Sequence, residues 1–138
     1  MIAIDAGFIF ALVDRDDRWH SRCRALSSTQ DEGWVTTWPV LAEATYLFGK
    51  RLGIAYALAL MDEVSAGGID VWDLPRASYA RVPILMRKYA SLPMDLADAS
   101  LVLLAESLGH GRILSTDERD FRAYRWKQRK PFVNLLAP

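Results

Sequence analysis

The sequence predicts an α/β domain built on a parallel sheet, and three observations carry that expectation. Five short apolar stretches recur along the chain, at Ile2–Ile4, 34–36, Ile69–Trp72, Arg112–Leu114 and 132–135. The segments between them are long enough to hold crossover helices, the alternation of a parallel sheet covered on both faces. Acidic residues stand just beyond two of these stretches, Asp5 after the first and Asp117 after the fourth, at the edge where open α/β folds bind their ligands.

Taken in order, Ile2–Ile4 is the first strand, and the apolar run after Asp5 is the first helix. That run lacks the positive start of a signal peptide and carries an acid inside it, so it reads as structure. Gly33 marks the turn into the second strand. Thr37 can cap the next helix, with Pro39 in its first turn, and residues 39–50 place Val40, Leu41, Ala44, Leu47 and Phe48 on one stripe. Gly67-Gly68 precede the third strand, and Leu74-Pro75 begin a helix expected to run to about Tyr89. Asp95, just after Pro93, caps a nearly all-apolar helix that Gly109 can end. The fourth strand leads through Ser115-Thr116 to Asp117, and 132–135 closes the sheet.

A chain of 138 residues with 51% hydrophobic content suffices for one core and not for two ordinary ones, so residues 1–138 are expected to form a single domain. No window approaches the roughly 18 apolar residues that cross a bilayer, which predicts a soluble protein with no membrane partner. Lysine plus arginine equals aspartate plus glutamate at 17 each, which excludes a global basic field for holding nucleic acid. Any such site has to be local. Cys23 has no partner in the chain, so there is no internal disulfide, in keeping with a reducing cytoplasm. It reads as a small buried hydrophobe.

The acids carry the chemistry, and each has a structural reading beside the functional one. Asp5 either caps the helix starting at Ala6 or offers its carboxylate at the sheet edge. Glu43 lies beside the apolar stripe of its helix, between Val40 and Leu47, either reaching outward at the margin or pointing into a polar pocket. Asp98 sits in the first turn of an apolar helix, where a carboxylate needs a partner. It is either a variant capping box with Asp95 or part of a site. Asp117 and Asp120 are either caps before Phe121 or acids at the same sheet edge as Asp5, and Asp117 becomes a neighbour of Asp5 if the fourth strand lies beside the first. Gathered carboxylates repel one another and cost free energy when desolvated, so a fold that collects four of them calls for a cation.

The stretches Ile4-Asp5-Ala6, Val35-Thr36-Thr37 through Val40-Leu41-Ala42-Glu43-Ala44, Asp95-Leu96-Ala97-Asp98-Ala99-Ser100-Leu101-Val102, and Ser115-Thr116-Asp117 with Asp120-Phe121 together resemble the PIN-domain ribonucleases, and among them the VapC toxins of bacterial toxin-antitoxin pairs. The likeness spans almost the whole chain, and the order and spacing of the acids are its specific part. It implies a three-layer α/β/α fold on a five-stranded parallel sheet of order 3-2-1-4-5. It also implies an acidic quartet of Asp5, Glu43, Asp98 and Asp117, with Asp95 and Asp120 as accessory acids. Two departures stand out: Ala6-Gly7 lacks the serine or threonine that many relatives carry after the first aspartate, and Ser115 replaces the more usual threonine.

Carboxylates suit Mg²⁺ or Mn²⁺, hard cations that prefer oxygen, and the matching reaction is metal-assisted phosphodiester hydrolysis. In that scheme Asp5, Asp98 and Asp117 hold metal and Glu43 holds it through water or orients the attacking water. Ser115 or Thr116 supports the shell by hydrogen bonding. Arg119, Arg122, Arg125 and Lys127, continuing to Arg129 and Lys130, are either a solvated charged loop or contacts for RNA, with Tyr124 and Trp126 as stacking faces. Trp19, Trp34, Trp38 and Trp72 are assigned to core or interface, and His20 and His110 lack metal-ligand spacing. The resemblance implies RNA as substrate, a cognate antitoxin whose tail blocks the acidic pocket, and a homodimer. The apolar residues between Tyr46 and Leu60 fit an interface or plain core. The competing class is a non-catalytic module that holds RNA or protein on the same fold. A receiver-type phosphotransfer domain is disfavoured because no acid follows two residues after Asp5.

Overall fold

The computed structural model describes residues 1–137. Its elements run β1 (Ile2–Ile4), α1 (Ala6–Val13), α2 (His20–Thr29), β2 (Trp34–Thr37), α3 (Trp38–Arg51), α4 (Ile54–Ser65), β3 (Ile69–Trp72), α5 (Arg81–Lys88), α6 (Leu96–Leu108), β4 (Arg112–Leu114), α7 (Glu118–Ala123), β5 (Arg125–Trp126), β6 (Lys130–Pro131) and β7 (Val133–Asn134). The main sheet has the order β3-β2-β1-β4-β7, and all its pairings are parallel. This is the expected five-stranded order, with β7 as the fifth strand because a two-stranded hairpin is inserted before it.

Burial on both faces explains why the central strands are apolar throughout rather than alternating. Ile2, Ala3 and Ile4 are all buried, as are Ile113 and Leu114 in the neighbouring strand. Phe8 of α1, Val40 of α3 and Leu104 of α6, each wholly inaccessible, close over the sheet from the helical layers. The chain leaves β1 towards β2 on one side and finds β4 on the other. Ala3 pairs with Val35 and Ile4 with Leu114. That reversal opens a crevice at the carboxyl ends of β1 and β4.

Two expected elements differ. The helix placed at 74–89 is divided into a 3₁₀ turn, Arg76–Ser78, and α5. Pro83 gives the reason: it has no N–H for the carbonyl of residue 79, and its ring would strike that carbonyl, so a helix holding Pro83 must begin with it in the first turn. The basic run is not a loop. It is α7 followed by the antiparallel hairpin of β5 and β6, which turns through Lys127 and Gln128 at φ 47° and 70°. Positive φ at two successive residues is the geometry of a tight hairpin turn, usually signalled by Asn or Gly. Neither residue announces it here.

Candidate active site

Asp5 leaves β1 with extended backbone and caps α1, its Oδ1 accepting the Phe8 N–H at 2.8 Å. Its Oδ2 accepts from the Ser115 hydroxyl, which comes from the end of β4. Both readings of this residue therefore hold. It is a cap, and its carboxylate lies in the crevice. Only 8% exposed, Asp5 has its pKa pushed up to about 6, chiefly by burial, against the lowering hydrogen bonds from Ser115 and Phe8 and with added repulsion from Asp117 and Glu43.

Ser115 joins the two halves of the crevice. Besides donating to Asp5, its Oγ accepts the Asp117 N–H at 2.9 Å. Its backbone is clamped in turn by Asn134 of β7, whose Oδ1 accepts the Ser115 N–H at 3.1 Å and whose Nδ2 donates to the Ser115 carbonyl at 2.9 Å.

Asp98 takes its place from α6. Asp95 caps that helix as expected, accepting the Asp98 N–H at 2.8 Å. The Asp98 carboxylate accepts instead from the Tyr124 hydroxyl at 2.8 Å. Burial, then repulsion from Asp95, raises its pKa to about 7, while burial and the same bond push the Tyr124 phenol up. Asp117 caps α7, accepting the Asp120 N–H at 3.2 Å, and its pKa is raised by burial and by Asp120. Glu43 stands at the exposed rim on α3. Its pKa too is raised, by partial burial and by Asp95 and Asp117.

These side chains meet on one cavity of about 280 Å³. Asp5, Glu43, Asp95, Asp98, Asp117 and Asp120 all line it, with Thr116 beside them and Val40 and Leu101 among its apolar walls. No lysine, arginine or histidine is among its lining residues. Among the described residues, no three acids already stand as a ready-made metal cluster; Asp5, Asp98 and Asp117 are each tied to a protein donor. The donor set of carboxylates and hydroxyls nevertheless fits a hard divalent cation, and such an ion would offset the burial and, after it, the mutual repulsion that raise these pKa values. Thr116 Oγ1 lies against Gly7, where a Cβ would collide with it. The position that lacks a hydroxyl in α1 is thus faced by one from the loop after β4.

The basic residues do not line this cavity. Arg119 and Arg122 are exposed on α7. Arg119 lies 3.4 Å from Asp120 and also donates to the Leu92 carbonyl at 3.0 Å. Arg125 spends its guanidinium on the carbonyls of Arg122 and Tyr124, at 2.7 and 2.9 Å. Lys127 occupies the hairpin turn, its N–H donating to Glu106. The expected stacking role of Tyr124 and Trp126 does not survive: they are 0% and 7% exposed, one bound to Asp98 and the other donating its indole N–H to the Pro131 carbonyl. Trp38 is exposed, while Trp19, Trp34 and Trp72 pack against the core. Phe48 and Leu60 belong to the core, whereas Tyr46, Ile54, Tyr56 and Leu58 are exposed. Asn134, and the bond of Tyr124 to Asp98, are what sequence reasoning missed. A polar residue inside the otherwise apolar last strand was the available signal for Asn134.

The fold and its acidic crevice define a class, and the comparisons agree with it. A family model for the PIN domain matches residues 2–127, and the chain belongs to that family. It is similar to Ribonuclease VapC26 of Mycobacterium tuberculosis (strain ATCC 25618 / H37Rv), with 27% identity over 122 residues covering 88% of this chain and 90% of that protein. In three dimensions it is similar to the crystal structure of Mycobacterium tuberculosis VapC20, described as a sarcin-ricin loop cleaving toxin. The TM-score is 0.82 at 19% identity, covering 95% of this chain and all of that one. The expected likeness to the PIN-domain VapC proteins, and the expected sheet order, are borne out. No helix among the described residues is long and apolar enough to cross a membrane.

Proposed function

We propose that this protein is a metal-dependent endoribonuclease of the VapC type, hydrolysing RNA phosphodiester bonds and held in check by a cognate antitoxin. Family membership and the likeness to a named ribonuclease support an RNA-cleaving hydrolase. The observation that carries the finer reading is the cavity at the β1–β4 switch point, with six carboxylates on its wall and no basic side chain.

Asp5, Asp98 and Asp117 would hold Mg²⁺ or Mn²⁺. A cation bound there supplies Lewis acidity and offsets the negative charge that builds on a phosphodiester during in-line displacement. Ser115 fixes the Asp5 carboxylate, and Tyr124 fixes that of Asp98, so both oxygens are oriented before substrate arrives. Glu43, at the rim with a raised pKa, orients the attacking water and accepts its proton. Arg119 and Arg122, flanking the crevice on α7, meet the RNA backbone. Asp95 and Asp120 add negative charge at the mouth.

The exposed side chains of Tyr46, Ile54, Tyr56 and Leu58 support a homodimer through α3 and α4. An antitoxin with a basic side chain would complement the acidic cavity and close it. A cytoplasmic setting follows from this reading, and the buried, unpaired Cys23 accords with it.

The test is cleavage of total cellular RNA by the purified protein with Mg²⁺ or Mn²⁺, beside a chelator control and Asp5→Asn. Discrete fragments that need both metal and Asp5 are expected. A folded, antitoxin-free protein that cuts nothing under these conditions would return the chain to the non-catalytic binding class.

A further inference from the structure

A second cavity, of about 340 Å³, lies at the same sheet edge on the β2–β3 side. It is walled by three aromatic side chains, Trp38, Trp72 and Tyr79, with Asp73, Leu96 and Ser100 around them. Its volume falls within the range of small-ligand sites. Trp72 reaches the edge because it pairs with Thr37, the last residue of β2. The first turns of α3 and α6 separate this cavity from the acidic one: Pro39 and Leu96 line the aromatic side, and the next residues along, Val40 and Ala97, line the acidic side.

Trp38 and Tyr79 remain 51% and 57% exposed, an unusual outlay of aromatic surface beside a polar catalytic crevice. Trp38 is nonetheless held in place, its indole N–H donating to Asp73 Oδ1 at 2.8 Å. Asp73 is exposed, and among the described residues no protein group donates to its second carboxylate oxygen. A planar ligand with an apolar face and a donor at its edge satisfies both features. Resting on the RNA reading above, we infer that this cavity receives an unpaired nucleobase of the RNA next to the scissile phosphate. The aromatic walls stack on the base, and Asp73 selects an exocyclic amino group. Stacking is sequence-tolerant because every base has a π face, whereas a carboxylate accepts from cytosine N4 and repels uracil O4.

The test uses fluorescence anisotropy with the Asp5→Asn protein, so that nothing is cut, and short labelled single-stranded RNAs. One RNA has random sequence and the other is an abasic backbone of equal length. The base-bearing RNA should bind about tenfold tighter, and Tyr79→Ala or Trp38→Ala should remove that preference. Trp38→Phe, which keeps a ring, should retain most of it. Oligocytidine should bind tighter than oligouridine until Asp73 is replaced by asparagine. Equal binding of the base-bearing and abasic RNAs, or a preference untouched by Tyr79→Ala, overturns the inference. Trp38 also lines the groove between α3 and α4, so sedimentation of each variant is run alongside. A change of oligomeric state in Trp38→Ala, with RNA binding unchanged in Tyr79→Ala, assigns the surface to contact between copies and overturns it too. Wild-type cleavage assayed in parallel separates the two readings. Cutting without base preference leaves the nuclease and removes the pocket, and base preference without cutting does the reverse.

Discussion

The Tyr124 hydroxyl donates to Asp98 Oδ2 at 2.8 Å, joining a fully buried ring to a carboxylate of the acidic crevice. The ring is wedged edge-on between Phe121 and Tyr89, with centroids 5.1 Å away on either side. Tyr89 is engaged in turn, its hydroxyl accepting the Arg125 N–H at 3.0 Å. The hydroxyl therefore has little freedom to swing. Tyr124, between α7 and the hairpin, thus ties that segment to Asp98 by a hydrogen bond that its packing holds in place.

Removing only that hydroxyl, with Tyr124→Phe, should weaken Mg²⁺ or Mn²⁺ binding and metal-dependent cleavage by about tenfold or more, the usual cost of losing an orienting partner. Stability should fall by only about 1–2 kcal/mol, one hydrogen bond to a carboxylate, because the ring still fills its site. Calorimetric metal titration beside a urea melt separates the two effects. Unchanged metal affinity would reduce the pair to packing.

The raised pKa values set the direction of a pH effect. Asp5 and Asp98 rise from the ordinary aspartate value of 3.8 to about 6 and about 7. The metal-free folded chain therefore keeps protons that the unfolded chain has already lost. Their contribution to stability is complete below pH 3.8 and disappears as pH climbs through 6 and 7. Divalent cations select the ionised form and so act in the opposite sense, raising the melting temperature more at pH 8 than at pH 5.5. Asp98→Asn should flatten the metal-free pH dependence and shrink the gain from Mg²⁺. A mutant with the wild-type metal response at both pH values would exclude Asp98 from the cation's shell.

Much of this was legible in the chain because it rests on local rules. Strand brevity, Thr37 and Asp95 as caps, and an acid at each of two strand ends are one-dimensional signals, and the switch point turns them into a single crevice. The helix break before α5 was also written in the sequence, at Pro83, but Leu74-Pro75 looked like a more natural start. The roles of Tyr124 and Asn134 were not legible. Each depends on which distant element it meets, Asp98 on α6 or Ser115 beyond β4, and neither distance along the chain nor residue type encodes that. Tyr124 in a basic run looked like a base platform because exposure cannot be read from composition.

Asn134 gives a third expectation. Its side chain satisfies both the N–H and the carbonyl of Ser115, at 3.1 and 2.9 Å, and no apolar replacement can do so. Asn134→Leu should cost about 1–3 kcal/mol through the unpaired backbone groups. It should also lower metal affinity, because Ser115 would no longer be held against Asp5. Asn134→Leu and Ser115→Ala are predicted to be strongly non-additive in metal binding. Additive losses would mean that Asn134 supports only the sheet edge.

Gly7 is the remaining anomaly, a glycine in the first turn of α1, where alanine would ordinarily be favoured by up to about 1 kcal/mol. Its neighbour explains it. A Cβ at position 7 would collide with Thr116 Oγ1, and threonine, branched at Cβ, has few rotamers into which to retreat. Gly7→Ala should therefore destabilise by about 1–3 kcal/mol, against its helix propensity. Deleting the obstructing hydroxyl with Thr116→Ala should reverse the sign, leaving the double variant at least as stable as Thr116→Ala alone. Thr116→Val keeps a methyl group in the same space and should give no such rescue. Urea melts of the variants measure the coupling directly. If Gly7→Ala were neutral by itself, the crowding would be relieved by a small shift of the loop after β4. Metal affinity should then change instead, because Asp117 lies in that loop.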